Sequence, residues 1–323
     1  MRRVLLTGGS GFVGANLARR LLADGHEVHL LARPNYQPWR LAEIRGAIRL
    51  HESELDDAEA VQRAVKTIRP EWIFHLAVHG AYSWQKDLDA MVRTNIHGTI
   101  NLVQAALASE VEVFINTGSS SEYGLKDHAP LEAEALEPNS HYAVTKAAAT
   151  MFCKHTASTC AMRMATLRLY SAFGPYEDAG RLLPALIAHG LRGEYPALAA
   201  PEIARDFIYV EDVVDAYLLA AQTPGSEPGA VYNIGSGIET KLRDAVEMAR
   251  KLMHIPGEPV WGSMPNRAWD ATVWVSDNRK ARQVLGWNPR HTFESGFRAM
   301  LEWQASADGA RNLQAPHPSG KAL

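Results

Sequence analysis

Val4-Leu5-Leu6-Thr7-Gly8-Gly9-Ser10-Gly11-Phe12-Val13-Gly14 decides how the rest of the chain is read. An apolar run of strand length is followed at once by G-x-x-G-x-x-G. Val13, Leu17 and Leu21 then recur at i, i+4 spacing up to Gly25, where a helix would end. Glycines permit a tight turn and let a pyrophosphate approach backbone N–H groups, and the helix N-terminus adds a favourable field for an anion. Strand, turn and helix in this order predict a dinucleotide site, with Gly8, Ser10, Gly11, Phe12, Val13 and Gly14 against the cofactor.

Working outward, strand-length apolar runs at Val28 to Leu31, Trp72-Ile73-Phe74 and Val111 to Ile115 alternate with helix-length periodic segments. That alternation predicts an α/β fold: a Rossmann-type, doubly wound parallel sheet with helices on both faces. Beyond Pro175 prolines and glycines become frequent and the alternation loosens. We place the dinucleotide-binding domain at 1–175 and a smaller C-terminal, substrate-binding lobe at 176–304. The strand-like Val231-Tyr232-Asn233-Ile234 suggests that a segment near 205–236 returns to the first domain. Residues 305–323 lack apolar periodicity and are expected to form a disordered tail.

The composition excludes other classes. With 323 residues, 46% hydrophobic and 21% charged, the chain is neither disordered nor fibrous. A net charge of -3 gives no bulk attraction to nucleic acid or to an anionic membrane, and no apolar run reaches the length of a membrane span. The only cysteines, Cys153 and Cys160, are too few for a disulfide framework. Their spacing of seven would put both on one helix face without a metal-ligand pattern. The residues predict a cytoplasmic protein without a metal site.

The end of the second strand, His29-Leu30-Leu31-Ala32-Arg33-Pro34, carries no acid to hold an adenosine ribose 2′-hydroxyl. Arg33 would instead pair with a 2′-phosphate, favouring NADP(H) over NAD(H); the alternative is a solvated surface charge. Glu54 and Leu55, in the loop after the third strand, are expected at the adenine pocket.

Tyr142 and Lys146 are four apart, hence on one face of a helix. A phenol ionises near pH 10, but a close cation favours phenolate and brings it toward the working range of a base. Asn116-Thr117-Gly118-Ser119-Ser120-Ser121-Glu122 follows an apolar strand, at the carboxyl end where open sheets bind ligands. Ser119, Tyr142 and Lys146 are therefore the catalytic candidates, with Ser119 bonding the reacting oxygen and Tyr142 moving its proton.

Taken together, these residues resemble the extended short-chain dehydrogenase/reductase superfamily, in its nucleotide-sugar epimerase/dehydratase branch. The likeness runs from about Val4 to Trp303. It includes the glycine run, His75-Leu76-Ala77, Asn95, the Ser119/Tyr142/Lys146 set, and the motifs starting at Leu167 and Arg205. Near the end it includes Leu285-Gly286-Trp287-Asn288-Pro289. The resemblance implies cofactor contacts at Leu76, Ala77 and Asn95, and also at Tyr142 and Lys146. For a sugar carried on a nucleoside diphosphate it implies contacts at Ser120, Ser121, Ser171, Arg181 and Arg205. It also implies a homodimer formed through the helices around Asn95 to Leu107 and Tyr142 to Cys153. Asp206 and Asp212 are read with equal weight as functional residues or as structural partners that orient Arg205.

Two departures from the family pattern bear on the reaction. Ser120 and Ser121 stand where the 4,6-dehydratases carry acids, and Glu122 comes one position late, so dehydration is disfavoured. Ser171 replaces the usual Asn. Epimerisation at C4 through a 4-keto intermediate is the leading expectation. NADPH-dependent reduction of a 4-keto-6-deoxyhexose is the second. A non-catalytic NADP-binding protein, or a reductase of flat aromatic ketones using Tyr82, Trp84 and Tyr176, ranks lower.

Overall fold

A computed structural model describes residues 1–223, 227–267, 270–306 and 309. β1 (Arg3–Thr7), α1 (Phe12–Ala23), β2 (Glu27–Ala32), β3 (Arg49–Glu52), α2 (Ala58–Ile68) and β4 (Trp72–His75) alternate as the sequence predicts. α3 (Leu88–Met91) runs through a π turn at Val92–His97 into α4 (Gly98–Leu107), followed by β5 (Val113–Ser119), α5 (His141–Ala157) and β6 (Arg163–Leu169). Next come β7 (Ser171–Phe173), α6 (Leu182–Gly190), β8 (Ala204–Arg205), β9 (Phe207–Tyr209), α7 (Val210–Gln222) and β10 (Ala230–Ile234). β11 (Thr240–Lys241), α8 (Leu242–Met253), α9 (Arg279–Leu285) and α10 (Phe293–Gln304) follow among the described residues.

Seven strands form one sheet in the order β10-β6-β5-β4-β1-β2-β3, and every pairing is parallel. The chain leaves β1 toward β2 and β3, then returns on the opposite side with β4. This reversal opens a crevice beyond the carboxyl ends of β1 and β4, the place where such sheets bind ligands. Helices cover both faces because the strands are apolar on both. Leu17 and Leu21 of α1 and Val213 and Tyr217 of α7 pack on one face; Val61 and Val65 of α2, Val103 of α4 and Cys153 of α5 pack on the other. A separate core of Phe173, Leu186, Phe207, Val246, Phe297 and Met300 holds the C-terminal elements together. There β7 pairs with β9 and β8 with β11.

Two local readings change. β5 starts at Val113, not Val111, and continues to Ser119, because Asn116 to Ser119 stay in register with Thr166 to Leu169 of β6. Polar residues thus occupy ladder positions that alternation alone assigns to a loop. α5 ends at Ala157, so Cys160 lies past the helix and shares no helical face with Cys153. Of the expected tail, 307–308 and 310–323 lie outside the described residues. Among the described residues no helix is long and apolar enough to cross a membrane.

Candidate active site

The crevice widens into a cleft of about 1390 Å3. One rim is the glycine turn, and its form is dictated by contacts too close for any side chain. A Cβ on Gly14 would lie 2.2 Å from the Gly8 carbonyl oxygen, and one on Gly8 would lie 2.4 Å from the Leu76 carbonyl carbon. Gly8 also adopts φ 70°, in the left-handed region that glycine occupies freely. Gly8, Ser10, Gly11, Phe12, Val13, Gly14, Arg33, Glu54, Leu55, Leu76 and Ala77 all line the cleft. A backbone cradle without side chains, opening onto a helix N-terminus with an exposed arginine at the end of β2, fits a dinucleotide.

Asn95 does not reach this wall. It is 1% exposed; its Oδ1 accepts the His79 N–H at 2.9 Å, and its Nδ2 donates to the His79 carbonyl at 2.8 Å and to Thr145 Oγ1 at 2.9 Å. It ties the loop after β4 to α5 one residue before Lys146. Lys146 is likewise outside the cleft lining and only 3% exposed. Burial lowers its pKa, which Glu122 partly offsets.

Ser119 and Tyr142 do meet at the cleft. Ser119 ends β5 and caps the 3-10 turn Ser120–Tyr123 through a capping box: its Oγ accepts the Ser121 N–H at 3.2 Å, while Glu122 Oε1 accepts the Ser119 N–H at 2.8 Å. Burial raises the pKa of the Tyr142 phenol, and hydrogen bonding from Ser119 opposes the rise. Arg181 also opposes the rise and Glu122 adds to it. Burial outweighs the opposing groups, and the phenol's pKa is raised.

Glu122 turns away from the cleft. Its Oε2 accepts Arg168 Nε at 2.8 Å and its Oε1 accepts Thr150 Oγ1 at 3.0 Å. Burial pushes this carboxyl up while Arg168 pulls it back. Arg168 also donates to the Tyr123 hydroxyl at 2.7 Å, and that hydroxyl donates to Asn233 Oδ1 at 2.8 Å. The late acid is thus a brace beneath the serine turn.

The opposite rim is assembled from side chains. Ser120, Ser121, Ser171, Arg181 and Arg205 all line it. Arg205 is held by Asp270, with Nη2 to Oδ1 at 2.5 Å. Neither Asp206 nor Asp212 orients it. Asp206 accepts from Ser236 and Ser276, and Asp212 from the Arg290 and His291 backbone. Arg181 lies 5.1 Å from the Tyr82 ring, and Tyr82 stacks on Trp84 at 5.7 Å; both aromatics line the cleft. Tyr176 instead packs under Arg19, 3.9 Å from ring centroid to guanidinium. Glu177 and Asp178 line the cleft as well, and burial pushes the Glu177 carboxyl up to about 8. Sequence reasoning missed Asp270, Glu177 and Arg40; of these only Glu177 belongs to a motif named above, the one starting at Leu167.

A doubly wound sheet, a glycine cradle at its switch point and a serine–tyrosine pair at the neighbouring strand end define a nicotinamide-dependent enzyme of the short-chain dehydrogenase/reductase type. Residues 4–235 match the model of the NAD dependent epimerase/dehydratase family, and the chain belongs to that family. It is similar to the UDP-glucose 4-epimerase of Mycolicibacterium smegmatis, with 28% identity over 93% of this chain and 98% of the relative. It is also similar to dTDP-glucose 4,6-dehydratase 1 of Escherichia coli, with 27% identity over 94% of this chain and 93% of that one. Among solved structures, the UDP-glucose 4-epimerase of Thermus thermophilus in complex with NAD superposes with a TM-score of 0.82. That pair is 25% identical and covers 93% of this chain and 98% of the other.

Proposed function

We propose that the protein is a nucleotide-sugar 4-epimerase that works through a 4-keto intermediate. The observation that carries this reading is the convergence of the Ser119 hydroxyl and the Tyr142 phenol on one cleft shared with the glycine cradle. In the oxidative half Tyr142 acts as phenolate and takes the C4 hydroxyl proton, in the reductive half the phenol so formed returns it, and Ser119 holds that oxygen by a hydrogen bond. Lys146, one turn on from Tyr142 along α5, is read as the support of the cofactor ribose, a role that requires its buried ammonium to turn toward the cleft. Arg205, fixed by Asp270, and Arg181 present two guanidinium groups to the diphosphate of the substrate. When bound, the nicotinamide supplies hydride acceptance and return. Relatives that act on UDP-glucose support a nucleoside diphosphate sugar as substrate. Dehydration lacks support, because Glu122 is committed to Arg168 and the cleft shows only serines at 120 and 121.

NADP(H) is the favoured cofactor, with NAD(H) the alternative, because exposed Arg33 and neutral Ala32 end β2 at the cleft. A second reading, NADPH-dependent reduction of a 4-keto-6-deoxyhexose, is favoured by the same arginine and by a phenol held in its proton-donating form. The 176–304 lobe is the substrate-binding part in both readings. Leu107, Val144 and Met151, exposed at 39%, 49% and 64% on α4 and α5, support pairing with a second copy.

The two reactions separate in one assay. The protein is incubated with NAD⁺, NADH, NADP⁺ or NADPH and a panel of UDP-, CDP-, GDP- and dTDP-hexoses, then with their 4-keto-6-deoxy forms. Sugar isomerisation without net change at the nicotinamide absorbance is the expected result. Stoichiometric loss of NADPH on the keto sugars assigns the reductase reading instead.

A further inference from the structure

Arg40 lies in the 3-10 segment Trp39–Ile44 and is 6% exposed, and its hydrogen bonds among the described residues go to carbonyl oxygens rather than carboxylates. Its Nε donates to the Tyr176 carbonyl at 2.7 Å, its Nη1 stands 3.5 Å from the Ser10 carbonyl, and the guanidinium lies 4.2 Å from the Trp39 ring centroid. Its Nη2 donates to no described residue, and the side chain lines the cleft. Guanidinium keeps its proton at any working pH, and burying such a charge without an anion beside it costs several kcal/mol, at roughly the scale of a broken buried ion pair. Burial lowers its pKa and outweighs Tyr82, Asp178 and Glu177, which raise it. A chain that places a guanidinium bonded to carbonyls inside a cleft has built half of an anion site.

The position distinguishes it from Arg33. Arg33 is exposed at the end of β2, on the adenosine side. Arg40 is anchored between the glycine turn, through Ser10, and the Pro175–Arg181 stretch, through Tyr176, with Tyr82 of the β4–α3 loop facing it. We propose that Arg40 is a second anion clamp of the cofactor site, meeting the diphosphate of the dinucleotide beside the glycine turn, while Arg33 serves the 2′-phosphate. This rests on the dinucleotide reading of the cleft and adds a residue that the glycine motif does not contain.

Calorimetric titration of the ligand-free protein with NADH, NADPH and 2′-AMP tests it. Arg40→Met is expected to weaken NADH and NADPH by the same factor, roughly 10- to 100-fold, the scale of a lost hydrogen bond to a charged group, and to leave 2′-AMP unchanged. Arg40→Lys, which keeps the charge, should recover part of the loss and serves as the second variant if Met disturbs folding. Arg33→Ala should weaken NADPH and 2′-AMP but not NADH. The ligand-free melting temperature of Arg40→Met should not fall, because a buried charge bonded to carbonyls gives way to an apolar chain. A loss confined to NADPH, unchanged affinities, or a lower ligand-free melting temperature with unchanged affinities would overturn the assignment. A wild-type protein that binds neither dinucleotide would instead sink the reading of the cleft itself, and this proposal with it.

Discussion

The two rims of the cleft are made by different means. The cofactor rim is backbone: its shape follows from Gly8 and Gly14, whose neighbours leave no room for a Cβ. The opposite rim is side chains delivered by the β4–α3 loop, the turn after β5, the stretch after β7, β8 and the segment around Asp270. A backbone surface is specified within a few consecutive residues and fails entirely when one is changed. A side-chain surface is specified by long-range topology and fails by degrees.

The largest effect is therefore expected on the backbone rim. Gly14→Ala sets a Cβ 2.2 Å from a carbonyl oxygen that cannot move aside, so dinucleotide binding measured by calorimetry should be abolished and the melting temperature should fall. Ordinary folding with intact binding would show that the turn has slack and that the contrast between the rims is false. On the other rim, Tyr142→Phe should lower turnover by about 10²- to 10⁴-fold while leaving cofactor affinity nearly intact, since only a proton-transfer group is removed. Undiminished turnover removes Tyr142 from the chemistry.

Between these extremes stands the brace under Ser119. Glu122→Ala leaves the buried Arg168 guanidinium without its carboxylate and should cost about 3 to 5 kcal/mol in denaturant unfolding. A cost below about 1 kcal/mol, the level of an exposed pair, would mean that water reaches Arg168.

The smallest effect is a slope. The Glu177 carboxyl is raised from 4.5 to about 8, so between those values the folded protein holds a proton that the unfolded chain has released. Stability attributable to this group is therefore greatest below about pH 4.5 and declines as pH rises toward 8. Glu177→Gln should shrink the difference between unfolding midpoints at pH 5 and pH 8. An unaltered difference would show that Glu177 is not the titrating group.

The same contrast explains what could be read from the residues alone. β1, the glycine turn and α1 obey local rules, so their order and the placing of Gly8, Gly11 and Gly14 at the cleft were legible. Tyr142 and Lys146 were placed one turn apart on a helix correctly, but the spacing could not say that Asn95 and Lys146 would sit behind the wall, because that depends on how α5 packs against the π turn at Val92–His97. Arg205 was recognised and its partner was not. Asp206 is adjacent in sequence but is engaged by Ser236 and Ser276, whereas Asp270 arrives from 65 residues away. Arg40 carried no periodic signal at all, since its anchor, the Tyr176 carbonyl, is 136 residues downstream. One-residue shifts, by contrast, were legible: Glu122 is directed away from the cleft by its position in the turn.

The capping box at Ser119 has a consequence for what the cleft floor offers an incoming oxygen. Its Oγ already accepts the Ser121 N–H, and its own hydrogen is directed outward, to Ser121 Oγ at 3.1 Å when no better acceptor is present. A carbonyl arriving there meets hydrogens from both Ser119 and the un-ionised Tyr142, whereas an alcohol must first reorient one of them. A ketone oxygen is thus the acceptor that this pair of hydroxyls greets without rearrangement.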